Sequence, residues 1–189
     1  MTSIVLGSST SQWQRIIHEA GESCQLQLDE EMESYLVFLM MRFQDCPEVA
    51  ESVIALEYLN SQLTSGRLKQ DQLREVGDRC LLFSGFFPKR ADKCRVKISY
   101  FVEIGRSAYH QLAGHSAAKI QQLYLHLAEG FVPLMDVLQT VRQMGQDLPV
   151  LGPLEATELW QDTGSKSALS SLRNHTNVLP VRFSTQIKH

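Results

Sequence analysis

Apolar residues recur every three or four positions along most of this chain, the signature of helices that turn one face to a core. Residues 1–10 are rich in Ser, Thr and Gly and predict a loose start. Ser11 is placed to cap a short helix carrying Trp13, Ile16 and Ile17 on one face, with Gly21 ending it. Asp29 suits the next cap, and Glu30 and Glu31 favour the first turn of the helix that follows. That helix runs to about Gln44. It is apolar nearly all round between Tyr35 and Phe43, which predicts a central position with Leu36, Leu39, Met40 and Phe43 in the core. Pro47 fits a first helical position. Val49, Val53, Leu56, Leu59 and Leu63 then follow at helical spacing, until Ser65 and Gly66 stop the run.

A further helix starts near Lys69 and carries Leu73, Val76, Cys80 and Phe83. Gly77 inside it costs about 1 kcal/mol against Ala, so a break with Asp78 recapping the helix is the alternative. Residues 84–97 read as a loop from Gly85, Pro88 and their charges, pinned by Phe86 and Phe87. A helix over 99–114 presents Phe101, Ile104, Ala108 and Leu112, and Gly105 with Ala108 permits a close helix approach. From Ser116 a near-heptad seam runs from Ile120 to Val141, with Pro133 predicted to kink or split it near Gly130. Gly145 ends the seam. A turn over 148–153 and a short helix over 154–162 follow. Beyond Gly164 the composition shifts to Ser, Asn and Thr, which predicts a flexible linker to Asn177. Val178 to Phe183 is a compact β-prone stretch. The expectation is an all-α, single-domain bundle of five to seven helices over 1–163, with residues 164–189 as linker and extended C-terminal arm.

Composition narrows the function classes. A chain of 189 residues is one domain by its length. A net charge of -3 argues against nucleic acid as partner. The densest apolar run, 35–43, is about half the ~20 residues that span a bilayer. No basic, apolar leader is visible at the start, so the cytoplasm is the expected compartment. The four cysteines, Cys24, Cys46, Cys80 and Cys94, form no C-x-x-C pair and match no zinc spacing, which suits thiols in a reducing compartment. Lys93 and Arg95 flank Cys94, a setting that admits a redox role, but a plain loop or core thiol is the favoured account.

The stretch GDRCLLFSGFFPKRADKCRVKISYFVEIGRSAYHQLA, residues 77–113, carries a Gly-Asp, an apolar Leu-Phe, a Gly-Phe-Phe with Pro, an aromatic pair, a Gly and an Ala-Tyr. In this it resembles a group of uncharacterised bacterial helical proteins. The resemblance implies a bacterial origin and assigns neither an activity nor a catalytic residue.

Candidate chemistry is sparse. Helical metal sites use Glu-x-x-His pairs, and the chain holds only the reverse order, His126-x-x-Glu129. His115 with Lys119 imitates a phosphotransfer helix, yet the Lys falls one residue late and no Gly follows. The chain has no G-x-S-x-G, P-loop or G-x-G-x-x-G motif. No catalytic residue, metal or cofactor is therefore assigned. Glu103, Arg106 and His110 share a helix face bordered by Tyr100 and Tyr109, where Arg106 is suited to a carboxylate or phosphate. An exposed ion pair is the plainer account of the same spacing. Lys89, Arg90, Lys93, Arg95 and Lys97 form the one dense run of charge, directly after two aromatics.

Candidate binding residues are thus Lys89, Arg90, Lys93, Arg95, Arg106 and Tyr109. The favoured reading is a non-enzymatic intracellular binding protein that engages a protein partner or itself. The alternative is a helical enzyme or small-ligand carrier with a pocket lined by Tyr100, Arg106, Tyr109 and His126.

Overall fold

A computed structural model describes residues 8–45, 54–146 and 149–175, and among them all regular structure is helical. The helices are α1 (Ser9–Ser23), α2 (Glu30–Asp45), α3 (Ile54–Leu63), α4 (Gly66–Gly85), α5 (Lys89–Cys94), α6 (Ile98–Gly114), α7 (Ala118–Glu129), α8 (Phe131–Met144), α9 (Pro153–Thr163) and α10 (Lys166–His175). The expected all-α class is what the chain adopts. No helix among the described residues is long and apolar enough to cross a membrane. The expected start at Pro47 and the arm over 178–183 lie outside the described residues.

The expected five to seven helices become ten among the described residues, for three local reasons. Residues 84–97 are not a plain loop. Pro88, with φ -58° and ψ -32°, opens the one-and-a-half-turn α5, and Ala91 N–H donates to the Pro88 carbonyl at 3.0 Å. The long seam divides at Gly130, which places Pro133 in the first turn of α8, where its missing N–H leaves no bond unmade. The expected linker after Gly164 is instead α10. Gly164 ends α9 in the left-handed region at φ 77°, Ser165 Oγ accepts from Ala168 N–H at 3.0 Å, and Ala168 and Leu172 are buried.

The spine is the pair α4 and α6. Gly77 meets Tyr109, Cys80 meets Gly105, and Phe83 stacks edge-on against Phe101 at 5.5 Å. The partners run in opposite order, so the two helices are antiparallel. A Cβ on Gly77 would lie 2.4 Å from the Tyr109 ring, and one on Gly105 would lie 2.5 Å from the Phe131 ring of α8. Gly77 therefore does not break α4. Its missing side chain makes room for a buried tyrosine.

The expected central position of α2 is not what the chain builds. Leu36, Val37, Leu39 and Met40 are buried, but Phe43 is only half-buried and Phe38 is 65% exposed. The centre belongs to α4, α6 and α8. α2 looks apolar all round because α1 covers one of its flanks, where Trp13 Nε1 donates to Gln44 Oε1 at 3.0 Å. Another flank lies over α4.

α10 is tied to α8 by a buried carboxylate. Asp136 accepts from Ser165 Oγ at 2.5 Å and from Lys166 N–H at 2.8 Å. Burial pushes its pKa up to about 6, against the opposing pull of the bonds from Ser165, Lys166 and Ser167.

Two predictions follow from this packing. Gly105→Ala should destabilise the protein by about 1–3 kcal/mol through overpacking, whereas Gly114→Ala, whose Cβ meets nothing within 4 Å, should leave stability unchanged or raise it by up to ~1 kcal/mol. Chemical denaturation of both variants checks the contrast. The raised pKa of Asp136 means the folded state binds the extra proton, so its contribution to stability is fullest below the unfolded carboxyl range. That contribution declines as pH rises through about 6. Urea midpoints measured from pH 4.5 to 7 should fall with rising pH, and the slope should flatten in Asp136→Asn.

Candidate binding cleft

α4 ends by turning the chain tightly. Phe86 N–H and Phe87 N–H both donate to the Leu82 carbonyl, at 2.8 and 2.9 Å. This places two consecutive aromatic rings at one end of α4, with centroids 5.1 Å apart and edge to face. Phe43 of α2 closes the group at 5.0 Å from Phe87 and 6.3 Å from Phe86. Buried Pro88 then launches α5, and Lys89, Arg90 and Lys93 come out three and four residues apart on one side of it.

From the far end of α8, Arg142 lays its guanidinium 5.4 Å above the Phe86 ring and 6.0 Å from that of Phe87. The result is a cleft of about 230 Å³ with Phe86, Phe87 and Pro88 as its apolar part and Lys89, Arg90, Lys93 and Arg142 around it. Among the described residues no carboxylate lines it.

The electrostatics are one-sided. Lys97, a few residues on, is neutralised by Glu158 at 3.6 Å and Asp162 at 3.7 Å. Among the described residues no carboxylate lies within ion-pair distance of Lys89, Arg90, Lys93 or Arg142. Asp92, the one acid of α5, faces away into a groove shared with Glu155 and Glu158 of α9. Arg90 stacks over Phe83 at 5.1 Å, and its Nε is buried without a hydrogen-bond partner. A buried guanidinium N–H without an acceptor is costly unless something supplies one. Such an arrangement suits an oxyanion carried on an apolar body.

The remaining candidates lie elsewhere. Arg95 is exposed at the end of α5, in the left-handed region at φ 55°, and does not line the cleft. Arg106 is exposed on α6 and donates through Nε to the Ala128 carbonyl at 3.1 Å. Tyr109 does not border that exposed face. It is fully buried, and its hydroxyl donates to Asp78 Oδ1 at 2.8 Å. The alternative pocket therefore does not assemble: His126 faces Glu31 at 3.6 Å, and Tyr100 packs on Phe101. Among the described residues no group of three or more His, Cys, Asp or Glu is arranged to hold a metal ion.

Asp78, read from the sequence only as a possible cap, is a buried carboxylate. Tyr35 donates to its Oδ1 at 2.5 Å, and Arg42 donates to its Oδ2 at 2.9 Å. Arg42 also pairs with Glu75, and Glu75 in turn takes Arg79 at 2.8 Å. Burial pushes the Asp78 carboxyl up, while the two tyrosine hydroxyls and the guanidinium groups of Arg74 and Arg42 pull it back. Tyr35 and Tyr109 are both held well above the usual phenol range by burial and by the carboxylate beside them, so they stay as donors. With every oxygen engaged inside the fold, this network fixes α2, α4 and α6 together.

No family model, curated protein or solved structure matches this chain. The functional reading therefore rests on the geometry.

Sequence reasoning missed Arg142, the packing of Phe43 on Phe86 and Phe87, and the Asp78 network. Arg142 is distant from the basic run in the chain, and only its place in the last turn of a helix hints at it. Tyr109→Phe should cost about 1–3 kcal/mol, because Asp78 loses a buried donor. Arg106→Ala, at an exposed position, should cost less than about 1 kcal/mol. Thermal or urea melts of the two variants check this difference.

Proposed function

We propose that this protein is a non-enzymatic helical binding protein of the bacterial cytoplasm that engages an acidic segment of a protein partner through the cleft between α5 and the end of α8. The observation that carries the reading is the gathering of Lys89, Arg90, Lys93 and Arg142 around two phenylalanine rings, with no carboxylate among the described residues of the lining. Cations set beside rings favour a ligand that combines an oxyanion with an apolar or aromatic side chain, since each part then meets its complement.

Pre-organisation supports the reading. Phe86 and Phe87 are fixed by the shared Leu82 carbonyl and by Phe43, so little order is lost on binding. The chain is acidic overall, so this patch contrasts with its surroundings and steers an acidic partner toward itself. The same net charge disfavours nucleic acid, whose backbone would meet repulsion outside the patch.

The test uses a fluorescent peptide of glutamates flanking one phenylalanine, with a lysine-for-glutamate peptide as control. The acidic peptide should bind the full chain, more weakly as salt rises. Lys89→Glu with Lys93→Glu, both at exposed positions, should leave melting within about 0.5 kcal/mol of the parent. The double reversal should weaken binding at least roughly tenfold, the loss of about 1.4 kcal/mol. Equal affinity of the reversed protein, or equal binding of the lysine peptide, would remove the cleft as the recognition site.

A further inference from the structure

α10 buries Ala168 and Leu172 and turns its polar residues away from the core. Lys166, Ser170 and Arg173 share one helix face at spacings of four and three, and Ser167, Ser171 and Asn174 form the adjoining stripe. Both stripes line a cavity of about 740 Å³ between α10, α8, the end of α1 and residues 149–151. That size falls in the range of small-molecule sites, about 300–1,000 Å³.

The lining selects a ligand chemistry. Among the described residues it holds no Phe, Tyr or Trp and no carboxylate. A nucleobase or aromatic side chain therefore finds no such ring to stack on, and an amine finds no counter-charge. Hydroxyls and amides predominate, and a hydroxyl pairs with either because it both donates and accepts. Two further groups lack partners. Neither Lys166 nor Arg173 is within ion-pair distance of a carboxylate among the described residues. Gln139 of α8 also lines the cavity and is 1% exposed. Its Nε2 donates to the Ser84 carbonyl at 2.9 Å, whereas its Oε1 is buried with no partner. An unpaired buried acceptor costs about 1–3 kcal/mol, which a ligand hydroxyl would remove.

We propose that this cavity binds a phosphorylated sugar, its phosphate between Lys166 and Arg173 and its hydroxyls on the Ser167, Ser171, Asn174 stripe and Gln139. The cations ask for an anion and the buried amide oxygen asks for a donor, so the ligand carries both. A phosphate monoester presents three oxygens and close to two charges, and so meets both cations at once. Val150 is the one described residue common to this lining and that of the basic cleft, whose cations stand on α5 and α8. The two sites can therefore be tested apart.

The experiment is calorimetric titration of the full chain with glucose 6-phosphate, ribose 5-phosphate, inorganic phosphate and glucose. At least one sugar phosphate should bind at least roughly tenfold more tightly than inorganic phosphate and than glucose, about 1.4 kcal/mol. It should also slow alkylation of Cys24, which lines the cavity, and leave that of exposed Cys94 unchanged. Lys166→Gln with Arg173→Gln, both at exposed positions, should lower the affinity at least roughly tenfold. Lys89→Glu with Lys93→Glu should leave it within about twofold. Should the α10 double variant lose its far-UV circular dichroism, Ser170→Leu, also at an exposed position, narrows the cavity instead and should weaken binding by a similar factor. Inorganic phosphate or glucose binding as tightly as the sugar phosphates would overturn the proposal. So would the absence of heat and of Cys24 protection with either sugar phosphate at about 10 mM, or binding that the α5 variant loses and the α10 variants keep.

Discussion

The structure depends on one close approach. α4 and α6 lie so near one another that a buried tyrosine ring occupies the space where a side chain on Gly77 would be. That ring ends in a hydroxyl held by Asp78, the next residue along α4. The spine is thus closed by shape and by a hydrogen bond at the same turn. Tyr35 brings α2 to the same carboxylate, and Arg42 adds the charge that compensates it. A buried carboxylate is costly to leave half-satisfied and specific when fully engaged, and here both oxygens have partners. Gly105 repeats the device further along, where α6 receives Phe131 of α8.

The cleft inherits its rigidity from this spine. α4 ends against α8, since a Cβ on Gly85 would fall 2.6 Å from Leu138. One turn beyond Leu138 on α8 stands Arg142, over the rings of Phe86 and Phe87. The packing that sets the distance from α4 to α8 therefore also sets the height of the guanidinium above the aromatic floor. The residues of the 77–113 pattern divide along the same line. Gly77, Asp78, Gly105 and Tyr109 are packing groups of the spine, while Phe86, Phe87 and Pro88 form the floor of the cleft.

What could be read in the sequence was local. Asp29 caps α2 as its position predicts, accepting from Met32 N–H at 2.8 Å. The helix expected over 99–114 starts one residue earlier, at Ile98, and Gly105 permits the close approach that its small size announced. What could not be read had a distant partner. α10 has few apolar residues, and part of its capping comes from Asp136 on α8, so its serines looked like a linker. Asp78 was legible as a cap but not as a hub, because Tyr35 and Tyr109 reach it from other helices. Periodicity says that a face is buried, not what it is buried against. For that reason α2 looked central.

The shortest helix carries a geometric consequence. α5 has six residues, opened by Pro88 and closed by Arg95 in a left-handed turn. Side chains on a helix advance by about 100° per residue, and with both ends fixed this segment has no slack to absorb a change in length. Inserting or deleting one residue would swing Lys93 about a quarter-turn or more around the helix axis relative to Lys89. The segment acts as a phase setter: its length determines which charges share a direction. Substitutions on its outer face cost the fold little, while a change in the count of residues between the proline and the left-handed turn re-aims every charge beyond it.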